Sequence, residues 1–451
     1  MEFSESRYAA LLEEVRQRFP SVQKTDFATA YKPGLAGMEA FCEAMGHPER
    51  SFKSIHVAGT NGKGSVASLL ASALAGVGIR TGLYTSPHLN DFRERARIIS
   101  PSKDSFDLIP KEYVFDFFTA WMPFFIERGL SFFEITSGLA FKWFADSGVD
   151  AAVVETGLGG RLDSTNVLTP ELALVTTIGL DHCAILGDSL AAIAGEKAGI
   201  FKPGVPALVG ESGPETDPVF DEKAWMLCPL TYADKVRPSL WYRRQEILRK
   251  MDLQADVQQK NLRTVLAAVD ILKEIPGFKA LADTESMLDG LACAARRTGF
   301  RGRWERLSEL PFVICDIGHN PQALQYSFDQ LRRYEQEGRC SSLIIVYGVM
   351  ADKDLDSIIP LMPENATYIF TTPATDRALP AAEILRRYTA AGRGRAYAAE
   401  TVRQAVQMAL QLAQNLSEQT NRSASAAKPA PPLVFIGGSS FVVAEALPLF
   451  R

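Results

Sequence analysis

The stretch "HVAGTNGKGSVASLL", residues 56–70, runs from an apolar segment through three glycines, a lysine and a serine into alanine-rich sequence. That order reads as a strand, a tight turn and a helix start. Gly59, Gly62 and Gly64 can take backbone angles that other residues resist. The N–H groups of Gly59, Thr60, Asn61, Gly62, Lys63, Gly64 and Ser65 can then turn inward around phosphate oxygens. The helix N-terminus adds partial positive charge, and Lys63 adds a full one, aimed at the β- and γ-phosphates. The spacing departs from the common GxxxxGK[ST] pattern: Val57 stands where the first glycine belongs, and Gly64 separates Lys63 from Ser65. Ser65 is therefore expected to serve phosphate, and another residue to hold the magnesium of a nucleotide. A simple strand–helix turn with a surface lysine is the alternative. The glycines, Lys63 and Ser65 all falling at one junction weigh against it.

Magnesium prefers hard oxygen ligands and keeps several waters. Glu155 ends the apolar run "AAVVETG", and Ser86 ends another strand in "YTSPHL". An acid at the C-terminal end of a parallel strand sits close to such a glycine turn. His182 follows a further strand in "TTIGLDHCAILGD"; a lone histidine is more often structural. Lys197 lies on a small, apolar segment, "AAIAGEKAGIFKPG". Burial there would lower its pKa and leave a reactive neutral amine; a solvated helix end is the alternative. Asp316 and His319 form a second group, in "VICDIGHNPQAL", again at a strand end with Asn320–Pro321 suited to helix entry. Arg303, in "RGRWE", sits at the expected hinge. A cleft between two α/β domains would gather both groups around one ligand.

The elements that must position these residues alternate between β and α. Residues 1–50 read as helices broken at "FPS" and "YKPGLAG". From Ser54 onward "SIHVAG", "GIRTGLYTS", "DAAVVETG" and "ELALVTTIG" read as strands. Helices are expected at "KEYVFDFFTAWMPFFIERG", "FFEITSGLAFKWFADSG" and "QQKNLRTVLAAVDILKEI". Near-continuous apolar strands separated by helices indicate a parallel sheet covered on both faces. Residues 211–250 are less regular, and "RRTGFRGRWE" reads as a junction. A second series follows with strands at "PFVICDIG", "SSLIIVYGV", "ATYIFTT" and "PLVFIGGSS", and a low-complexity surface loop at "NRSASAAKPAPP". The boundary is placed near residue 296, giving α/β domains over 1–295 and 296–451.

Bulk properties narrow the partners. A formal charge of −5 without a basic run argues against nucleic acid. No apolar run approaches the ~20 residues that span a bilayer, and the N-terminus lacks the pattern of a signal peptide. Six cysteines without a CxxC suit reduced thiols in a cytoplasm better than a disulfide frame or a zinc site. The expected protein is a cytoplasmic monomer acting on small molecules.

These residues resemble folylpolyglutamate synthase/dihydrofolate synthase, in the Mur ligase superfamily of ATP-dependent amide-forming enzymes. The matching segments are "HVAGTNGKGS", "TSPHL" with "RERARI", "FFEITSGLAF", "VDAAVVETGLGGRLDSTNV", "TTIGLDHCAILGDSLAAIAGEKAGIFKPG", "QQKNLRTVLAAV", "RGRWE", "CDIGHNP", "YGVMADKD" and "GGSSFVVAEAL". The resemblance implies an N-terminal P-loop ATPase domain with a mostly parallel sheet and a smaller Rossmann-like glutamate-ligase domain. It implies that Lys63 and the glycine-loop amides hold ATP phosphates, and that Ser86, Glu155 and His182 form a magnesium sphere. Lys197 matches a lysine often carbamylated by CO₂, able to bind a second Mg²⁺. Asn261, Arg303 and Asp316 would contact adenine, ribose or phosphate. His319 and Ser439 would lie near the incoming glutamate, with Arg95 a further candidate for its carboxylate. Lys63, Lys197 and His319 are the expected catalytic group.

Phe133, Asp163 and the "GLGGRLDSTN" loop match the pterin-side pocket of members that accept dihydropteroate. A bifunctional ligase is therefore expected, joining L-glutamate to dihydropteroate and to the γ-carboxylate of reduced folates. The alternatives are a monofunctional folylpolyglutamate synthase, another Mur-type amino-acid ligase and a nucleotide-binding regulator that ligates nothing. The stretch before His56 is too short for the uridine-nucleotide domain of a cell-wall ligase. Departures are Thr156 for the usual Val, "DIGHN" for "DGAHN", and Cys183 beside His182, where a buried inert thiol is expected.

Overall fold

The computed structural model describes residues 2–19, 34–101, 105–423 and 430–450. The expected breaks at "FPS" and "YKPGLAG" and the loop "NRSASAAKPAPP" fall wholly or partly outside the described residues. The chain divides into two compact units, Met1–Asp252 with Gln258–Phe300, and Leu253–Val257 with Arg301–Arg451.

The first unit is built on eight strands: β1 Lys53–Ala58, β2 Thr81–Tyr84, β3 Ala96–Ile99, β4 Phe106–Leu108, β5 Ala151–Glu155, β6 Leu172–Val175, β7 Ala207–Val209 and β8 Leu230–Tyr232. Their order across the sheet is β4-β3-β2-β5-β1-β6-β7-β8. The strands from β2 to β8 in that order run parallel, while β3 and β4 add an antiparallel edge. The sheet is thus mostly parallel, as expected, with an antiparallel edge. The chain leaves β5 on one side of β1 and returns as β6 on the other. The C-terminal end of β1 is therefore the switch point, where open α/β sheets bind ligands.

The helix Lys63–Gly76 follows that end. Every residue from Gly64 to Ala75 is buried, as expected for a helix apolar on all sides. Small residues let its partner helix, Thr284–Ala292, come close. A Cβ at Gly290 would stand 2.5 Å from the Ser72 carbonyl oxygen, and Ser72 Oγ donates to the Gly290 carbonyl at 2.6 Å. This contact fixes the glycine turn from behind.

The second unit carries six strands: β9 Glu305–Ser308, β10 Phe312–Cys315, β11 Leu343–Tyr347, β12 Thr367–Thr371, β13 Ala396–Ala399 and β14 Leu433–Gly437. They lie in the order β13-β12-β11-β14-β10-β9. All pairs are parallel except β9 with β10. The stretch "RRTGFRGRWE", read as a junction, contains the change from the first unit to the second after Phe300 and runs into the edge strand β9. Among the described residues no helix is long and apolar enough to cross a membrane.

Candidate active site

Gly59 follows β1 with φ +145°, and a Cβ there would stand 1.9 Å from Thr176 Oγ1. Thr176 Oγ1 donates to the Asn61 carbonyl at 2.6 Å. Thr60 Oγ1 donates to the Gly179 carbonyl at 3.1 Å and accepts from its N–H at 3.0 Å. The turn is thereby lashed to the segment that follows β6. Gly62, at φ +86°, is the N-cap of the helix and supplies no side-chain acceptor to it. Its α-carbon faces Asn261, whose Oδ1 would lie 2.6 Å from a Cβ at that position.

Buried Ser65 accepts from Gln258 Nε2 at 3.4 Å, and Gln258 Oε1 accepts from Asn261 Nδ2 at 2.9 Å. Asn261 thus stands beneath the glycine turn in a buried polar chain. Gln258 was not singled out from sequence. The available signal was its place one helical turn before Asn261, on the face that buries Leu262 and Val265.

Two lysines converge on one carbonyl. Lys63 Nζ donates to Gly59 O at 3.0 Å and Thr60 O at 3.2 Å, and Lys197 Nζ donates to the same Gly59 O at 2.9 Å. Lys197 sits near the end of the helix Leu190–Ala198, 4% exposed. Burial, and then the neighbouring Lys63 charge, push its pKa down to about 7. A solvated helix end is excluded for this side chain.

Glu155 is level with Val57 in the β1–β5 register, which brings its carboxylate to the same strand ends. It is buried, and its Oε2 accepts the Ser86 N–H at 3.2 Å. The same oxygen would lie 3.5 Å from a Cβ on Gly64. Ser86, Glu155 and the glycine turn are therefore one group. His182 has φ +52° and lies just beyond Gly179, the residue that clasps Thr60. Its backbone N–H donates to Asp181 Oδ1 at 3.0 Å. Cys183 is exposed, which corrects the buried-thiol expectation: it opens a four-residue helix in which only Leu186 is buried.

Arg95 is buried, donates from Nε to His88 Nδ1 at 2.9 Å and lies 5.3 Å over the Phe132 ring. Burial pulls its pKa down. At 4% exposure it braces the loop after Ser86 from within. Arg97, unremarked in "RERARI", is also buried. It donates to Thr85 Oγ1 at 3.1 Å, and burial pushes its pKa down to about 10 against the pull of Glu94 and Glu155.

Asp163 organises the "GLGGRLDSTN" loop. Its Oδ2 accepts the N–H groups of Gly157 and Leu158, each at 2.9 Å, and its Oδ1 accepts the Thr165 N–H at 3.0 Å and the Thr165 hydroxyl. Phe133 backs the same loop: a Cβ on Gly157 would fall 2.3 Å from its ring.

In the second unit, Asp316 follows β10. It is buried, accepting the Trp304 N–H at 2.9 Å and the Gly318 N–H at 2.8 Å. Burial raises its pKa, opposed by Arg303, by these amides and by His319. His319 Nδ1 lies 3.1 Å from Ile317 O. Ser439, after the adjacent strand β14, caps the helix Ser440–Ala446 by accepting the Phe441 N–H at 3.1 Å. Asp316 thus ties the backbone next to Arg303 and His319, at Trp304 and Gly318, to one strand end. Asp316→Asn should lose one amide acceptor and destabilise the protein by roughly 1–3 kcal/mol, read as a lower midpoint in urea.

The Mur ligase, glutamate ligase domain family matches residues 302–417. The dihydrofolate synthase/folylpolyglutamate synthase of Mycobacterium tuberculosis is 32% identical over 429 residues, covering 85% of this chain and 83% of the relative. The chain belongs to the folylpolyglutamate synthase/dihydrofolate synthase family. A probable bifunctional folylpolyglutamate synthase/dihydropteroate synthase of Haloferax volcanii is 32% identical over 75% of this chain, which spans only 41% of that longer protein. The structure of Mycobacterium tuberculosis folylpolyglutamate synthase complexed with ADP superposes with a TM-score of 0.78 at 27% identity, covering 99% of this chain and 98% of that one. A bifunctional folylpolyglutamate synthase/dihydrofolate synthase from Yersinia pestis, complexed with AMPPNP and Mn ion, gives 0.74 at 25%, with 100% and 99% covered. The fold is the two-domain Mur-ligase-like α/β fold, and this member of the family is an ATP-dependent ligase.

Proposed function

We propose that the chain joins L-glutamate to the carboxylate of dihydropteroate, and to the γ-carboxylate of reduced folates, at the expense of ATP. The observation that carries the reading is the convergence of Lys63 and Lys197 on Gly59 O beside buried Glu155, in a chain matched over most of its length by dihydrofolate synthase/folylpolyglutamate synthases. A carboxylate is a poor electrophile in water. Attack of its oxygen on the ATP γ-phosphorus gives an acyl phosphate and ADP. The glutamate amine then attacks the acyl carbon, and inorganic phosphate leaves. Such chemistry is mostly positioning and charge neutralisation.

Each residue has a role in that scheme. The uncapped opening turn of the helix Lys63–Gly76 and Lys63 hold the phosphates. Glu155 and the Ser86 hydroxyl are the hard oxygen donors magnesium requires, with His182 completing its sphere. Among the described residues no three His, Cys, Asp or Glu side chains converge to cage a metal, so phosphate oxygens and water would fill the remaining positions. When bound, magnesium withdraws charge from the phosphoryl oxygens. The Lys197 amine, adding to CO₂ with loss of a proton, becomes a carbamate that can hold a second ion. Asn261, Arg303 and Asp316 serve the nucleotide, and His319 and Ser439 the glutamate. Phe133 and the loop organised by Asp163 receive the pterin side.

A coupled ADP-release assay tests the proposal, with dihydropteroate, tetrahydrofolate and glutamate each omitted in turn. ADP release should require glutamate and either acceptor. Release indifferent to glutamate would remove every ligase reading, and activity with tetrahydrofolate alone would leave a monofunctional enzyme.

A further inference from the structure

His56 lies in the interior of β1, three residues before Gly59, and is fully buried. Its Nε2 stands 2.8 Å from Thr165 Oγ1. A threonine hydroxyl has one hydrogen, and that hydrogen goes to Asp163 Oδ1. Nε2 of His56 must therefore be the donor, which leaves Nδ1 bare. Nδ1 is buried and has no hydrogen-bond partner among the described residues. Burial, then the Lys202 charge, push the imidazole pKa down to about 3, so the ring is neutral. An unpaired buried acceptor is costly, and an apolar side chain in this strand would avoid that cost. The chain tolerates it where the ring's other nitrogen orients a hydroxyl.

The segment receiving that bond is held from a second side. Ser164 Oγ lies 2.9 Å from Ser137 Oγ, which lies 3.2 Å from the Tyr84 hydroxyl. Ser137 is on the helix Phe132–Asp146, which also carries Phe133. One strand therefore ends in the phosphate turn and, a few residues earlier, braces the loop whose amides Asp163 collects.

We propose that His56 is a positioning residue for the acceptor acid: through the Thr165 hydroxyl it fixes Asp163, and through Asp163 the Gly157–Leu158 amides and the wall they form with Phe133. This inference rests on the reading that the Phe133–Asp163 loop receives the pterin side.

His56→Leu removes the donor, whereas His56→Gln keeps an N–H at about the reach of Nε2. In His56→Leu the KM for dihydropteroate should rise about tenfold, the loss of one buried hydrogen bond, with the KM for ATP essentially unchanged. His56→Gln should recover most of the loss. An unchanged dihydropteroate KM, or equal rises in both KM values, would overturn the inference. If His56→Leu fails to fold, Thr165→Val breaks the same relay and should reproduce the split, with Thr165→Ser as its rescue. Nitrogen NMR on ¹⁵N-histidine protein gives a readout independent of turnover. With only five histidines, the resonances missing from His56→Gln identify His56. They should show protonated Nε2 and bare Nδ1 from pH 6 to 8; the opposite tautomer, or titration in that range, would sink the relay. A wild-type protein that shows this tautomer but does not use dihydropteroate would instead refute the pterin-side reading.

Discussion

Lys197→Ala should abolish ligation, with kcat falling on the order of 10³-fold or more, while ATP binds within a few-fold of its wild-type affinity. The structure separates the two effects. Phosphate binding draws on the glycine-turn amides and Lys63; the turn loses the Lys197 bond to Gly59 O, but its other ties remain. Lys63 retains its bonds to Gly59 O and Thr60 O, and the turn retains its ties to Thr176 and Gly179. What disappears is a buried amine whose pKa lies near 7. Only the unprotonated amine adds CO₂. Below pH 7 the ammonium form dominates, and above it the amine does. At equal dissolved CO₂, enzyme stripped of CO₂ should therefore recover activity faster at pH 8 than at pH 6. Single-turnover kinetics and ATP titration check the first expectation. Wild-type turnover by Lys197→Ala would remove the carbamate role, and equal recovery at both pH values would remove the amine argument.

Gly59→Ala should weaken ATP binding by about 100-fold or more, roughly the 3 kcal/mol that separates a formed phosphate turn from a displaced one. The added Cβ would meet Thr176 Oγ1 at 1.9 Å and the Thr176 backbone nitrogen at 3.1 Å, at a backbone φ of +145° that side chains resist. Adding Thr176→Ala removes the hydroxyl and its clash. It should restore only part of the affinity, because the close backbone nitrogen and the unfavourable φ persist and the Asn61 carbonyl loses the nearer of its two hydroxyl donors. Isothermal titration with a non-hydrolysable ATP analogue measures both. Wild-type affinity in the single variant would mean that the phosphate does not sit in this turn.

The strand, turn and helix around Gly59 were legible because buried parallel strands are written as apolar runs and phosphate turns as glycines. The antiparallel edge was not. β3, β4 and β9 are three or four residues long, and all three, "ARII", "FDL" and "ERLS", carry charges that break the apolar signature. Glu155 was recognisable as a strand-end acid, but its level with Val57 is a matter of register, which one sequence does not encode locally. The same limit applies to arginines. Nothing in "RERARI" marks Arg95 or Arg97 as buried, and only the folded structure shows both to be so. Asp163 was picked out only through the resemblance of the "GLGGRLDSTN" loop. Its four accepted hydrogen bonds depend on Gly157 and Leu158 folding back onto it.

Transfer of an oxygen isotope tests the reaction most directly. With dihydropteroate labelled with ¹⁸O in its carboxylate, and with ATP and L-glutamate unlabelled, each turnover should move one labelled oxygen into inorganic phosphate, because that oxygen attacks the γ-phosphorus and departs with it. Phosphate released at the rate of product formation but free of label would contradict activation of the acid by ATP, and with it the account of what the two lysines and Glu155 are gathered to do.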